Sequence, residues 1–270
     1  MSVTDTQNAY DFDADVLRDK YRAERDKRVR DDGNDQYLEV KGDFSHYVDD
    51  PYVEKGFDRD ALTEELEVLV IGGGFGGMLA AARLIEQGIT DIKIIEKGGG
   101  FGGTWYWNRY PGASCDIESY VYLPMLEETG FVPRQKYTDA PETLAYCQVL
   151  AEKFGLNDLA LMQKEVVSTA WDETTRRWTV TTNRQDNLKA RYVVHSNGPL
   201  NRPKLPAIKG IGDYKGHTFH TSRWDYDYTG GNSHGGLDKL ADKRIAIIGT
   251  GATAVQCVPH LGAGAKELFV

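Results

Sequence analysis

The sequence predicts an α/β protein, and three observations lead to this fold class. Two short runs of apolar, often β-branched residues, 66–71 and 244–248, are typical of buried parallel strands. Each run is followed at once by a glycine-rich loop and then by a helical pattern of apolar residues. Glycine makes up 29 of the 270 residues, more than the usual ~7% of a globular protein. Together these features predict two Rossmann-like dinucleotide-binding domains, the second only begun, behind an N-terminal helical arm.

The composition excludes several classes of protein. The chain carries 32 basic and 41 acidic residues, and its net charge of −9 disfavours binding to nucleic acid or to anionic membranes. No window approaches the ~18 apolar residues of a membrane span, and residues 1–15 lack the basic start and apolar core of a secretory signal. The three cysteines are too few and too scattered for a disulfide framework or a zinc knuckle. We therefore expect a cytoplasmic protein without a metal site; its oligomeric state stays open.

Strands and helices alternate along the chain after a charged N-terminal segment. Residues 13–30 predict a helix whose interleaved acidic and basic residues indicate a solvated face rather than an anion-binding patch. We expect this helix to belong to an arm, residues 1–65, that packs on the body of the protein. The predicted strands are 66–71, 91–96, 165–170, 178–182, 190–195, 244–248 and one starting at 268; the predicted helices after the arm are 75–87, 141–154 and one from the second glycine loop to about 261.

The first glycine loop has the G-x-G-x-x-G spacing of a dinucleotide site. Gly72 permits a tight turn, Gly74 lets the backbone approach a pyrophosphate, and Gly77 allows close packing of helix on strand. The negative charge of such a ligand is stabilised by the N-terminus of the following helix. Glu96 ends the second strand, where a carboxylate accepts hydrogen bonds from ribose hydroxyls. The alternative is a glycine-rich turn without a ligand, which does not account for the strand, helix and terminal acid together.

The second glycine loop follows the strand at 244–248 and has the related G-x-G-x-x-A spacing. Its members are Gly249, Thr250, Gly251, Ala252, Thr253 and Ala254. Two such loops in one chain predict two dinucleotides, and the usual pair is a flavin and a nicotinamide. The alternative is one cofactor and a decayed duplicate of its loop.

Residues 102–116, GGTWYWNRYPGASCD, lie between the two loops and are not typical of a core segment. Their aromatic side chains suit the wall of a flat isoalloxazine ring, and Asp116 suits a role in orienting a cation. The segment resembles the motif G-G-x-W-x-x-x-x-Y-P-G-x-x-x-D of the type I Baeyer–Villiger monooxygenases. The residues that match its fixed positions are Gly102, Gly103, Trp105, Tyr110, Pro111, Gly112 and Asp116.

A second motif of that family, F-x-G-x-x-x-H-x-x-x-W followed by Pro or Asp, resembles residues 214–225. Gly216, His220, Trp224 and Asp225 match it, and Tyr214 replaces the leading Phe. The Ala-Thr-Gly linker of the family is similar to residues 196–198, Ser-Asn-Gly, only at its last position. The resemblance covers residues 66–270, and residues 1–65 resemble an extension found in some members.

The resemblance implies an enzyme in which NADPH reduces FAD and O2 then forms a C4a-peroxyflavin. This species attacks a ketone substrate, and migration of a carbon yields an ester or a lactone. Asp116 is then the catalytic-site acid that orients an arginine lying beyond Val270, while His220 and Trp224 belong to a linker that moves with NADP. The cofactor-binding residues predicted for FAD and NADP(H) are Gly72, Gly74, Phe75, Gly76, Gly77, Glu96, Lys97, Gly103, Thr104, Trp105, Trp107, Asp116, Tyr122, Val166, Gly198, His220, Trp224, Gly249, Thr250, Gly251, Ala252, Thr253 and Ala254.

The predicted domains are an arm (1–65), the first part of an FAD-binding domain (66–200), a linker (201–243) and the start of an NADP-binding domain (244–270). We expect the 270 residues to be the N-terminal half of a longer enzyme, inactive alone, because the chain ends inside a predicted strand. An N- or S-oxygenating flavin monooxygenase and a non-catalytic FAD-binding fragment are the alternatives. A disulfide reductase is disfavoured because the sequence has no C-x-x-C or C-x-x-x-x-C pair.

Overall fold

The computed structural model describes residues 12–54 and 56–270. The described helices are α1 (Ala14–Asp26), α2 (Phe75–Glu86), α3 (Thr104–Trp107), α4 (Ser119–Tyr122), α5 (Leu126–Thr129), α6 (Ala140–Lys153), α7 (Tyr226–Thr229) and α8 (Ala252–Gly264). The described strands are β1 (Tyr37–Glu39), β2 (Thr63–Ile71), β3 (Ile92–Ile95), β4 (Ala160–Leu161), β5 (Val166–Asp172), β6 (Arg177–Thr182), β7 (Asn187–His195), β8 (Lys204–Pro206), β9 (Arg244–Ala246) and β10 (Glu267–Phe269). Chain contacts divide them into two compact units.

The smaller unit contains residues 12–39 and Lys204–Lys215. Its helix α1 begins after Asp13, whose side chain accepts hydrogen bonds from the N–H groups of Asp15 and Val16. The predicted helix 13–30 is therefore present but ends earlier, at Asp26, and none of its residues is buried. In the same unit β1 pairs antiparallel with β8, Tyr37 lying opposite Pro206. Neither of these short strands is predicted by the sequence.

The larger unit is built on a six-stranded sheet with the strand order β4-β3-β2-β7-β6-β5. β4, β3, β2 and β7 run parallel to one another, whereas β6 is antiparallel to β7 and forms an antiparallel hairpin with the edge strand β5. The strands predicted at 66–71, 91–96, 165–170, 178–182 and 190–195 are thus confirmed within a few residues of their ends. The α/β fold class is confirmed as well.

Alternate side chains of β2 enter different hydrophobic clusters on the two faces of the sheet. Val68 and Val70 pack with α2 and α6, around a cluster that includes Met78 and Tyr146. Leu69 and Ile71 face a second cluster shared with β6 and β7. Burial on both faces explains why β2 is a nearly continuous apolar run. It also holds the end of β2, and hence the first glycine loop, in the centre of the sheet.

A second β-α-β element follows at residues 244–269. β9 pairs in parallel with β10, and α8 connects them. β9 is shorter than the predicted strand 244–248, while α8 is longer than predicted and ends at Gly264. The buried side chains of α8, Ala254, Cys257 and Leu261, face the rest of the larger unit. This element has the Rossmann-like topology that the second glycine loop predicts.

Candidate cofactor site

The first glycine loop lies at the carboxyl end of β2, between β3 and β7. Gly72 donates its N–H to Ile95 O at 2.8 Å, and Ser196, just after β7, donates to Ile71 O at the same distance. Gly72 has a φ of +108°, and a Cβ there would lie 2.3 Å from Ser196 O. A Cβ on Gly77 would lie 1.8 Å from Gly72 O. Both positions therefore require glycine, in agreement with the roles predicted for the tight turn and for close helix packing.

The start of α2 leaves backbone donors available for an anion. Gly74 is the N-cap of this helix and offers no side chain to the N–H groups of the first turn. Such free donors at a helix N-terminus, together with the helix dipole, stabilise a phosphate group. Gly76 lies beside Ser196, whose Oγ would be 3.5 Å from an added Cβ. The local geometry fits the pyrophosphate of a dinucleotide.

The segment 102–116 lies directly against the first loop. Gly102 donates its N–H to Gly73 O at 3.0 Å, and an added Cβ on Gly103 would lie 2.8 Å from the Cα of Gly74. Gly103 also has a φ of +53°, which favours glycine. Two motifs separated by some thirty residues in sequence thus meet backbone to backbone. The contact explains why both Gly74 and Gly103 lack side chains.

Glu96 occupies the end of β3 as predicted, but its carboxylate binds backbone groups of this chain. Its Oε2 accepts the N–H of Gly73 at 2.5 Å, and its Oε1 accepts the N–H of Gly98 at 2.6 Å. The side chain is buried, and loss of hydration raises the pKa of the carboxyl, an effect that the two N–H donors oppose. Each oxygen keeps a second lone pair for a ribose hydroxyl. Neighbouring Lys97 forms an ion pair with Glu165 at 3.1 Å.

An aromatic cluster beside the loop is formed by three of the predicted site residues, Phe75, Trp105 and Tyr122. Trp105 donates its indole N–H to Tyr122 Oη at 2.9 Å, and the Tyr122 ring makes edge contacts with both Trp105 and Phe75. Trp105, Trp107 and Tyr110 are only 7%, 2% and 7% exposed. The expectation that this segment is not a core segment is therefore wrong. The aromatic residues of the one-turn helix α3, which begins at Thr104, are buried, and Trp105 packs in a cluster with Tyr110 and Trp224.

Arg223, which the sequence analysis did not select, is the buried cation of this region. Its guanidinium carbon lies 3.8 Å from the centre of the Trp107 ring, and the side chain is almost fully buried. It donates to the carbonyl oxygens of Asp49, Asn201 and Ser222 rather than to a carboxylate, and burial lowers its pKa. The signal in the sequence was an arginine directly before the fixed tryptophan of the second motif.

His220 and Trp224 have structural partners in the second motif. His220 Nδ1 accepts the N–H of Ser222 at 3.2 Å and caps the short turn 221–223. Burial, with a smaller contribution from Arg223, lowers the pKa of His220 to about 4, so the imidazole is neutral near pH 7. Trp224 donates to Thr229 Oγ1 at 3.1 Å and packs in the cluster that contains Trp105. The structure therefore brings the two motifs together.

The second glycine loop lies close to the Tyr-Pro-Gly part of segment 102–116. Tyr110 Oη donates to Gln256 Oε1 at 2.7 Å, and an added Cβ on Gly112 would lie 2.6 Å from Gln256 O. The loop itself is open: Gly249 has a φ of +117°, and no atom lies within 4 Å of an added Cβ on Gly251. Gly251 is the uncapped N-cap of α8. The second loop thus has the same free helix N-terminus as the first.

Three predicted site residues lie apart from these contacts. The Asp116 side chain is exposed, and the described residues place no hydrogen bond or ion pair on it. Val166 is the first residue of β5 and packs in the cluster on the second face of the sheet. Gly198 has a φ of +58° and nothing within 4 Å of an added Cβ. No hydrogen bond in the described part of the chain joins Val166 or Gly198 to either glycine loop.

Comparison with known protein families decides which family contains this arrangement. The family model of the pyridine nucleotide-disulphide oxidoreductases matches residues 69–263, from the end of β2 through α8. The chain belongs to this family. The described residues of this chain nevertheless contain no redox-active cysteine pair, because Cys115, Cys147 and Cys257 are all free and buried. Burial raises the pKa of the Cys147 thiol to about 12, which makes it a poor nucleophile.

Several relatives of this chain are named as Baeyer-Villiger monooxygenases. Neopentalenolactone D synthase of Streptomyces avermitilis is 51% identical over 96% of this chain and 43% of its own length. A Baeyer-Villiger monooxygenase of Streptomyces coelicolor is 52% identical over 94% of this chain and 42% of its own length. The chain thus spans less than half the length of these relatives. The resemblance to Baeyer–Villiger monooxygenases is confirmed.

Solved structures agree with the sequence relatives. The polycyclic ketone monooxygenase of Thermothelomyces thermophila is 40% identical, with a TM-score of 0.86 over 94% of this chain and 43% of that chain. A complex of OTEMO with FAD and NADP is 33% identical, with a TM-score of 0.68 over 75% of this chain and 38% of that chain.

Residues 12–54 and 56–270 of this chain contain no helix long and apolar enough to cross a bilayer. The same residues hold no cluster of side chains suited to a metal ion.

Proposed function

We propose that this protein is a flavin-dependent Baeyer–Villiger monooxygenase that uses NADPH and O2 to convert a ketone into an ester or lactone. The observation that carries the proposal is the backbone contact between Gly74 and Gly103. It places segment 102–116, the part of the sequence most specific to these monooxygenases, against the first dinucleotide loop. The relatives at about 50% identity and the ketone monooxygenase neighbours support the same activity.

FAD is held by the first loop and its surroundings in this proposal. The free N–H groups at the start of α2 would donate hydrogen bonds to the pyrophosphate. The second lone pairs of the Glu96 oxygens would accept hydrogen bonds from ribose hydroxyls. When bound there, FAD would supply the redox chemistry, that is, acceptance of a hydride and activation of O2. The cluster of Phe75, Trp105 and Tyr122 forms an apolar wall that excludes water beside the loop.

NADP(H) binds at the second loop, where Gly251 leaves room for a pyrophosphate at the start of α8. Support comes from the OTEMO complex with both FAD and NADP. The contacts from Tyr110 and Gly112 to Gln256 on α8 connect this loop with segment 102–116. The two nucleotide loops are thus coupled through one short stretch of chain.

Asp116 acts by positioning a cation at the reacting centre. Its carboxylate is exposed and has no hydrogen bond or ion pair among the described residues, so it is available to an arginine. An arginine held in this way stabilises negative charge that develops when oxygen attacks a ketone carbonyl. His220 is neutral and engaged with Ser222, which favours a structural role over proton transfer.

A pair of matched glycine variants tests the assignment of the two loops. We expect Gly74→Val to purify with far less FAD, because its methyl groups occupy the space between the loop and Gly103. Gly251→Val should keep its FAD, because no protein atom lies within 4 Å of an added Cβ, and should lose NADP binding, because the side chain occupies the space that glycine leaves for the pyrophosphate. Flavin content after denaturation and NADP binding by calorimetry measure the two effects. A full complement of FAD in Gly74→Val contradicts the proposal for the first loop.

The activity itself is tested on the protein expressed from its complete gene, by NADPH oxidation in the presence and absence of a panel of ketones. Ester or lactone formation supports a Baeyer–Villiger monooxygenase. Oxygenation of amines or sulfides with no ester from any ketone would instead indicate an N- or S-oxygenating enzyme. FAD binding without NADPH oxidation would indicate a non-catalytic flavoprotein.

A further inference from the structure

Residues 49–53, which we call the strap, lie on the outer side of the loop formed by residues 98–109. Val53 packs directly on the backbone of that loop, since an added Cβ on Gly99 would lie 2.2 Å from Val53 Cγ1. The other side of the same loop touches the first glycine loop through Gly102 and Gly103. The loop 98–109 is therefore enclosed between the strap and the dinucleotide site.

Asp50 makes the first connection between the strap and this loop. Its Oδ2 accepts the hydroxyl of Tyr106 at 2.7 Å and the N–H of Gly99 at 3.2 Å. Its Oδ1 accepts the N–H of Tyr52 at 2.9 Å, which fixes the turn of the strap itself. A single carboxylate thus orders the strap and holds two groups of the loop, and hydrogen bonds to an ionised acceptor are the stronger ones.

Tyr52 makes the second connection. The guanidinium carbon of Arg109 lies 3.7 Å from the centre of the Tyr52 ring, and the ring makes an edge contact with Tyr106 at 5.7 Å. The Tyr52 hydroxyl is buried and has no hydrogen-bond partner among the described residues. The ring, and not the hydroxyl, is therefore the part that holds Arg109.

The strap also reaches the second motif. Asp49 O accepts the Nε–H of Arg223 at 3.1 Å, and Arg223 lies on the ring of Trp107 in the same loop. The strap therefore contacts both ends of loop 98–109. Any movement of loop 98–109 away from Gly73 and Gly74 would break these contacts.

We infer that the strap is a cofactor-retention element, which slows release of FAD by holding loop 98–109 against the first glycine loop. The inference rests on the proposed function, because it takes FAD as the occupant of that loop. It assigns to Asp50 and Tyr52 a role at the cofactor site although neither belongs to a nucleotide-binding motif. They are positioning residues, acting on the bound group through Gly99, Tyr106 and Arg109.

Release of FAD from the loaded protein tests the inference. We expect Asp50→Ala to release FAD about tenfold faster than the wild type, since two hydrogen bonds of the closed loop are lost. Tyr52→Leu should release it about threefold faster through loss of the cation–π contact. The rate is followed by the fluorescence of free flavin after dilution, and melting curves of the FAD-free proteins report general stability.

Two matched variants serve as controls. Asp49→Ala removes a neighbouring carboxylate but keeps the carbonyl that Arg223 uses, and Tyr52→Phe keeps the ring; both should release FAD at the wild-type rate. Equal rates for Asp50→Ala and Asp49→Ala, or an unchanged rate in Tyr52→Leu, overturn the inference. If Asp50→Ala does not fold, the comparison of Tyr52→Leu with Tyr52→Phe decides alone. Failure of the wild type to bind FAD would instead refute the proposed function.

Discussion

Asp116 and Lys164 are charged residues in opposite surroundings. Asp116 is exposed at the end of segment 102–116, whereas the side chain of Lys164 is buried and its ammonium nitrogen has no hydrogen-bond partner among the described residues. An exposed carboxylate keeps its hydration until a cation binds to it, which suits the role proposed for Asp116. A buried amine without a hydrogen-bond partner is destabilising, because its charged form has lost its hydration.

For Asp116 the expected effect is on catalysis alone. Asp116→Ala should bind FAD normally and lose about 10²–10³ in the rate of ester formation, the usual cost of removing a positioned electrostatic group. Asp116→Asn, which keeps the size and removes the charge, should be impaired to a similar extent. Product formation from a ketone measures the rate, and ester formation at the parental rate would refute the role.

For Lys164 the expected effect is a pH-dependent stability. Burial, with smaller contributions from Arg59 and Arg184, lowers its pKa to about 8, while Asp186 and Asp58 act in the opposite direction. Between that value and the ordinary lysine pKa, the unfolded chain binds a proton that the folded chain does not. The stability of the wild type therefore rises as the pH increases from about 8 to about 10, and the penalty is fully present below pH 8.

Replacement of Lys164 by Met should consequently stabilise the protein by about 2 kcal/mol at pH 7, with a gain that shrinks towards pH 10. Denaturant unfolding at several pH values measures the difference. The control is Lys189→Met, on the exposed face of β7, which should show no such pH-dependent gain. A constant difference across the pH range would mean that the Lys164 amine is hydrated in the folded protein.

Among the contacts between elements of the fold, one joins segment 102–116 to α8. Gln256 accepts the Tyr110 hydroxyl and donates to Ser114 O at 2.9 Å, so one side chain of α8 binds two positions of the segment. Gly112 allows this approach, with a φ of +79° and no space for a side chain. The orientation of α8 therefore depends on a glycine that is distant from it in sequence.

Gly112→Ala should accordingly destabilise the protein by about 3 kcal/mol, the sum of left-handed backbone strain and a collision with Gln256 O and His260. Gly130→Ala is a matched control: Gly130 has a φ of +68°, but no atom lies within 4 Å of an added Cβ. The control should cost only the backbone strain, about 1 kcal/mol. Equal losses of unfolding free energy in the two variants would show that α8 moves freely away from Gly112.

At the scale of the whole molecule, the elements predicted correctly are those with a strong local signal. β2 and α2 follow from an apolar run and a glycine loop, and α6 from Pro141 near its start. β1, β4 and β8 were not predicted, because strands of two or three residues show no period of two and no glycine loop marks these three as the second loop marks β9 and β10.

The residues of the candidate cofactor site, like the strands and helices, were predictable only where the sequence carries a local signal. Spacing placed Glu96 at the end of its strand but did not show that its oxygens bind the N–H groups of Gly73 and Gly98. Motif matching found Trp224 and His220 but not Arg223, whose role depends on carbonyl groups from three separate parts of the chain. Long-range contacts of this kind leave no local pattern in a single sequence.

The pairing of β1 with β8 has a consequence for synthesis of the chain. Tyr37 leaves the ribosome about 170 residues before its partner Pro206, a delay of roughly ten seconds or more at ordinary rates of translation. β2, β3 and β7 are complete by His195 and can pair before that time. The first strand to be made is therefore among the last to find its partner, and a nascent chain halted before Lys204 would present β1 as an unpaired edge to chaperones and proteases.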